Sequence, residues 1–209
     1  MKKFESDDFC IIANNCWGAE VYKQCELPFN TPIIGLYFYP EDYLNFISDL
    51  RKNLETDVRF IKESKHIKEQ KHPVGIVNEI EIHFLHYDTE EIAYEKWTKR
   101  CKRVLKDNQK LFFKFDDRDG ATADHIHRFH QMELPNSICF TKDSFPEYPS
   151  NFKIPMPASA PSVMDGYDQF YVAEKYLSLE KWLSGNGIVS SAKQKILLKA
   201  KEVKARLTD

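Results

Sequence analysis

Four short, largely apolar runs limit the folds open to this 209-residue chain. Residues 9–13 (FCIIA) and 33–38 (IIGLYF) are too short for helices and too evenly apolar for strands with one wet face. Both read as strands buried on two sides. Residues 111–115 (LFFKF) and 137–141 (SICFT) read as further strands. The stretches between them carry helical spacing. Pro40 suits a first helical turn, Glu41 and Asp42 favour its positive end, and Tyr43, Leu44, Ile47, Leu50 and Leu54 recur at helical intervals. Another helix follows residue 88, with Asp88 and Glu91 as a capping box and Ile92, Ala93, Trp97, Cys101 and Val104 as its buried stripe. A third starts near Thr122 and carries Ile126, Phe129 and Met132 inward. Strands alternating with helices predict an α/β fold: a three-layer, mostly parallel or mixed sheet with helices on both faces, in a single domain over residues 1–209.

The remaining segments are less regular. Residues 58–61 read as a short strand, and residues 62–72 are charged and aperiodic, as in a solvated loop. Residues 74–87 have strand character with a break near Asn78. Five prolines in residues 145–165 predict an extended, irregular segment. Helices at 176–183, closed by Gly185, and at 190–207 complete a C-terminal appendage over residues 176–207.

Hydrophobic residues make up 42% of the chain and aromatic ones 13%, enough to build a core. The formal net charge of -2, with cations spread along the chain, argues against nucleic-acid binding by bulk charge. Five cysteines, an odd number with no CxxC pair, predict reduced thiols rather than a zinc site or a disulfide framework. No run reaches membrane-spanning length, and the N-terminal apolar run is too short for a signal peptide. A cytoplasmic protein is expected, and nothing in the sequence sets its oligomeric state.

In a parallel sheet, ligands usually bind at the carboxyl ends of the strands. Asn14, Asn15 and Cys16 follow the first strand, and His86, Tyr87 and Asp88 follow the strand that ends near residue 87. Asp116, Asp117 and Asp119 follow the 111–115 strand, and Thr141 and Lys142 the 137–141 strand. Cys16 stands between a strand end and a helix start, where a helix N-terminus can lower a thiol pKa. With His83 or His86 as base and Asp117 or Glu81 as orienting acid, the order Cys, His, Asp matches papain-like arrangements. A small cysteine packed near a turn would look the same. Glu79, Glu81 and His83 share one strand face, fit either for acid–base work or for a sheet face that meets solvent or pairs with Arg100. Asp117-x-Asp119 after a strand is a spacing that can hold Mg²⁺ or Mn²⁺ against a nucleotide diphosphate, although an acidic turn before a helix also serves as a cap. Of His125, His127 and His130 only the last two lie close on a helix, and the group reads as a solvated helix face.

Three blocks resemble a known family: IIANNCWGAEVY, PVGIVNEIEIHFLHYDTEEIAYEKWTKRCKRV and LFFKFDDRDG. They are similar to domain-of-unknown-function family 1919, a bacterial family whose members often carry the label of exopolysaccharide biosynthesis proteins. The resemblance runs to about Thr141. Cys16, His83, His86, Trp97, Arg100 and Asp117 fit its pattern. The chain departs from it at Asn78, where the family has Asp, and at Ala19, where it has Gly. The resemblance implies a role near surface-polysaccharide assembly and carries over no catalytic residue.

The expected function is therefore a transferase or hydrolase acting on a sugar or sugar-linked acyl group. Cys16, His83, His86 and Asp117 would be its catalytic set. Asn14, Asn15, Trp17, Glu81, Tyr87, Arg100 and Asp119 would bind substrate, with Trp17 and Tyr87 stacking on sugar faces and Arg100 neutralising an anionic group. No cofactor is expected. The alternatives are a Mg²⁺- or Mn²⁺-dependent glycosyltransferase using Asp117 and Asp119, and a non-catalytic sugar-binding accessory protein.

Overall fold

The structure is a computed structural model, which describes residues 8–185. The elements in chain order are β1 (Cys10–Ala13), α1 (Trp17–Gln24), α2 (Pro40–Ser48), α3 (Leu50–Glu55), β2 (Arg59–Ile61), β3 (Val74–Val77), β4 (Ile80–His83), α4 (Glu90–Cys101), β5 (Leu111–Asp116), α5 (Ala123–Gln131), β6 (Ser137–Thr141), β7 (Asn151–Lys153), α6 (Gly166–Ala173) and α7 (Leu179–Leu183). The fold is mixed α/β, as the alternation of runs predicts. A four-stranded parallel sheet runs β1-β5-β6-β7, and a separate three-stranded antiparallel sheet runs β2-β3-β4.

The parallel strands are apolar on both faces because both faces are covered. Cys10 and Ile12 of β1, with Phe113 and Phe115 of β5, join a core with α2, α4, α5 and the second sheet. Ile11 and Ala13, with Phe112, join the opposite core with α1, α6 and α7, where Trp17, Phe140, Phe170 and Trp182 pack together. The second sheet turns between β3 and β4 at Asn78 and Glu79, both with left-handed φ (47° and 68°). Asn78 is held there by its amide, which donates to Asn53 and Thr56.

Residues 33–38 are not the predicted strand. Gly35 (φ 71°) breaks the extended backbone, and the segment makes one isolated bridge, Tyr37 with His83 of β4. Phe38 N also donates to the Asn14 carbonyl beyond β1. The segment is a strap that ties one sheet to the other, and its apolar character reflects the burial of Ile33, Leu36 and Phe38 between them. Three smaller expectations change. The N-cap of α4 is Thr89, whose side chain accepts from Ile92 N, rather than Asp88. The proline-rich segment contributes the edge strand β7, with Lys142 Nζ donating to the Ala158 and Ala160 carbonyls farther along it. Helix α6 starts at Gly166, capped by Asp165, ahead of the predicted 176–183 helix, of which α7 is the helical part. The predicted helix at 190–207 lies outside the described residues.

One polar cluster is sealed inside the second core. Lys114 and Asp116, two apart on β5, share a face and form a fully buried ion pair. Asn14 Nδ2 donates to Asp116 Oδ1 at 2.8 Å, Asn15 Nδ2 to Oδ2 at 2.7 Å, and Gln169 Nε2 of α6 to Oδ2 at 3.1 Å. Lys114 Nζ in turn donates to Asn14 Oδ1 and Asn15 Oδ1. Burial acts to lower the Lys114 pKa and to raise that of Asp116. The facing charge and the amide donors outweigh burial at Asp116 and hold its carboxyl below the usual range. A charge this deep is costly without its partner, so Lys114→Met should lower unfolding stability by about 3–5 kcal/mol. Urea unfolding is the check. The double change Lys114→Met with Asp116→Leu should cost clearly less than the sum of the two single changes.

Candidate functional site

The carboxyl ends of β1 and β5 open onto a cleft of about 430 Å³. The β1–α1 turn supplies Asn15 and Cys16, the strap supplies Tyr37, and the segment after β4 supplies Leu85 and His86. Arg118 and Asp119 come from the turn after β5, and Asp165, Gly166 and Tyr167 from the start of α6. The buried cluster sets the floor, since Asn15 donates to Asp116 while its carbonyl oxygen accepts from Trp17 N at the start of α1. Gly166 fits because it has no side chain: a Cβ there would stand 2.9 Å from Trp17 N and 3.0 Å from Asn15 Oδ1. Helices α1 and α6 thus close the cleft from one side, and the strap closes it from the other.

The cleft holds one thiol, one imidazole, a guanidinium and acidic side chains. Cys16 is half-buried, and its Sγ lies 3.6 Å from the Leu36 carbonyl. Burial pushes its thiol pKa up, which reverses the lowered value expected from its place before α1; contacts with the Gly35 and Leu36 backbone offset this only in part. His86 is exposed and held through its backbone N–H, which donates to the Gly35 carbonyl. Arg118 is anchored by Nη1 on the Val163 carbonyl at 3.3 Å. Asp119 adopts a left-handed φ of 56°, and burial pushes its carboxyl up against the opposing pull of Arg118. Tyr167, 56% exposed, and Leu85, also exposed, are the apolar side chains that line the cleft at the surface.

The other predicted site residues have different surroundings. Asp117 places Oδ2 on Lys142 N at 2.6 Å and Oδ1 on Val163 N at 2.9 Å, so it pins the loop after β6 and the proline-rich segment. Asp117 and Asp119 therefore face different partners. Among the described residues no group of three or more His, Cys, Asp or Glu is spaced to hold a metal ion. Trp17 is fully buried against Phe140, Phe170 and Trp182 and cannot stack on a ligand. Tyr87 donates to the Ile34 carbonyl at 2.6 Å, and Arg100 donates to the Tyr87 hydroxyl and sits over the Phe29 ring. That pair fastens the chain leading into the strap and lies outside the cleft lining. A larger groove of about 640 Å³ between α3 and α4 has Arg51, Trp97 and Lys102 in its wall but no histidine.

A domain-of-unknown-function model, DUF1919, matches residues 1–177. The chain belongs to this family. A Haemophilus influenzae relative described as an uncharacterized protein is 34% identical over 153 residues, which cover 73% of this chain and 71% of that one. The family match reaches through α6, so it takes in every residue of the cleft.

Glu81 and His83 form a second polar group behind Tyr37. His83 is fully buried and its ring stacks on Tyr37. Asp42 of α2 lies beside them, accepting from Glu81 N and Lys65 Nζ and bonded to His66 at 2.5 Å. The charged segment 62–72 is therefore no solvated loop over its whole length, because Ser64, Lys65, His66 and His72 all reach this group. Among the described residues no helix is long and apolar enough to cross a membrane.

Two tests follow from these environments. Alkylation of Cys16 by iodoacetamide, read by mass spectrometry of its peptide, should be slow at neutral pH and accelerate into the alkaline range. A fast, flat rate between pH 6 and 7 would contradict the buried-thiol assignment. Burial pushes the His83 pKa down from 6.5 to about 4. The unfolded chain thus binds a proton that the folded chain rejects between those values, so acid favours unfolding there. His83 should contribute fully above pH 6.5 and lose roughly 3 kcal/mol of relative stability by pH 4. Thermal melts of wild type and His83→Gln should show a stability difference that shrinks as pH falls through this window.

Proposed function

We propose that this protein is a transferase or hydrolase acting on a sugar or sugar-linked acyl group in surface-polysaccharide assembly, with Cys16 as nucleophile and His86 as its base. The observation that carries the reading is that Cys16 and His86, from different sheets, line one cleft at the carboxyl edge of the parallel strands. The thiol is protonated at neutral pH, so its proton must leave as sulfur attacks. His86 takes that proton while the Cys16 Sγ–carbon bond forms at the acyl carbonyl. The bond from the carbonyl carbon to the leaving oxygen then breaks, and His86 gives the proton to that oxygen. In the second half an acceptor hydroxyl or water gives a proton to His86 and attacks the thioester, and Cys16 leaves as a thiol with that proton. Arg118 is suited to steady the oxyanion or an anionic group of the substrate, and Asp119 to bond sugar hydroxyls.

His83 is set aside as the direct base because its ring lies behind Tyr37. Asp117 is set aside as the orienting acid because backbone N–H groups occupy both of its oxygens. A second reading, a non-catalytic sugar-binding protein, draws on the exposed Tyr167 ring at the cleft mouth and on the protonated thiol. Incubation with a panel of acylated sugars followed by mass spectrometry separates the two. A thioester adduct confined to the Cys16 peptide, reduced at least about 100-fold in His86→Ala, is the expected result. If no adduct forms and cells carrying Cys16→Ala or His86→Ala make polysaccharide at the wild-type level, the binding reading stands instead.

A further inference from the structure

The group behind Tyr37 is arranged as a line. Glu81 is fixed at one end: its Oε2 accepts from Ser64 Oγ at 2.7 Å and its Oε1 from Lys65 N at 2.8 Å. Glu81 Oε2 lies 3.5 Å from His83 Nε2, a buried atom with no hydrogen-bond partner. The other ring nitrogen, His83 Nδ1, is 3.1 Å from His72 Nε2. A carboxylate only accepts hydrogen bonds, so His83 is best satisfied with its hydrogen on Nε2. Nδ1 is then an acceptor, and His72 Nε2–H must donate to it. His72 is half-buried, with its ring 6.0 Å from that of Tyr37, a residue of the cleft wall. Burial, and to a lesser degree the charge of His86, lowers the His72 pKa. Packing alone would place an apolar residue at a fully buried position on β4, and here it places an imidazole whose two nitrogens point at an acid and a second imidazole.

We propose that Glu81, His83 and His72 form a proton relay that serves the cleft, with His72 as its outer member. The proposal rests on the reading of Cys16 and His86 as a reacting pair. As His86 takes the Cys16 proton, directly or through a water it passes one to His72 Nδ1. The hydrogen on His72 Nε2 moves to His83 Nδ1, and the hydrogen on His83 Nε2 moves to Glu81 Oε2. Both rings end neutral in the opposite tautomer, and Glu81 ends as a carboxylic acid. The reverse sequence returns the proton to the leaving oxygen. The charge that would otherwise build up on His86 is passed to the buried Glu81 carboxylate at the far end of the line.

The relay makes a prediction that simple packing does not. Glu81→Gln keeps an acceptor for Lys65 N but can turn an amide N–H toward His83 Nε2. That nitrogen must then accept, so His83 carries its hydrogen on Nδ1 and donates to His72 Nε2. Long-range ¹H–¹⁵N NMR of histidine-labelled full-length protein should show both rings as Nε2–H tautomers in wild type and both as Nδ1–H tautomers in Glu81→Gln. Unchanged tautomers in a folded Glu81→Gln protein, or a wild-type His83 with its hydrogen on Nδ1, would overturn the relay. His72→Gln retains a donor to His83 Nδ1 but cannot pass a proton on. It should keep the wild-type melting temperature and still slow Cys16 alkylation at neutral pH by at least about threefold. Alkylation identical to wild type in His72→Gln would also overturn the relay. Failure of Cys16 to form a thioester would overturn the Cys16 reading while the tautomer switch stood, so the two failures are distinguishable.

Discussion

The buried pair of Lys114 and Asp116 is the constraint on which the rest of this molecule hangs. An ion pair with no access to water is tolerable only if every remaining donor and acceptor is met. Asn14, Asn15 and Gln169 meet them. In doing so they fix the turn after β1 and the face of α6 against the end of β5. Asn15 then binds the first turn of α1, and Gly166 lets α6 approach that turn at backbone distance. The position of Cys16 follows from a charge on the neighbouring strand β5, through hydrogen bonds rather than apolar packing.

The cleft itself exists because two sheets meet. The parallel sheet alone would offer Asn15, Cys16, Arg118 and Asp119 at its carboxyl edge and no imidazole. The strap through Tyr37 pairs with β4 on one side and with the end of β1 on the other, and His86 follows directly from that pairing. A single left-handed glycine, Gly35, makes the junction: its carbonyl accepts from His86 N, and a Cβ there would press on Tyr87 and His86 at 3.2–3.3 Å. The Arg100–Tyr87 pair, anchored on the Ile34 carbonyl, secures the same junction from the outside.

Much of this was legible in the sequence where a residue's neighbours in the chain decide its place. Two-sided burial of β1 and β5 could be read from their unbroken apolar character, and the break between β3 and β4 from Asn78. The polar residues at strand ends marked an edge that carries a cleft. Reading failed where long-range pairing decides. The 33–38 run looks like a strand because its residues are buried, yet it is buried as a strap. Lys114 lies inside LFFKF and passes as ordinary alternation, although its spacing of two from Asp116 puts both charges on one buried face and could have flagged the pair. His72 sits in a segment with no period at all, and only the fold reveals its contact with His83 of β4. Trp17 illustrates the converse: its place next to Cys16 suggested a ligand platform, but a helix turns successive residues to different sides, and the indole points into the core.

These two kinds of polar burial do different work. The Lys114 cluster is saturated around Asp116, with each carboxylate oxygen bonded to more than one donor, and such a cluster rigidifies. The Glu81–His83–His72 line leaves His83 Nε2 without a hydrogen-bond partner, and it sets an acid and two imidazoles side by side. A fold that needed only rigidity behind Tyr37 would gain it more cheaply from apolar side chains, as it does behind Phe115 and Phe129. The raised pKa of Cys16 sharpens the point. In the proposed reading, a nucleophile that its surroundings keep protonated depends on what lies beyond its first base, and His72, whose shift includes a contribution from His86, sits in the line that begins at Glu81.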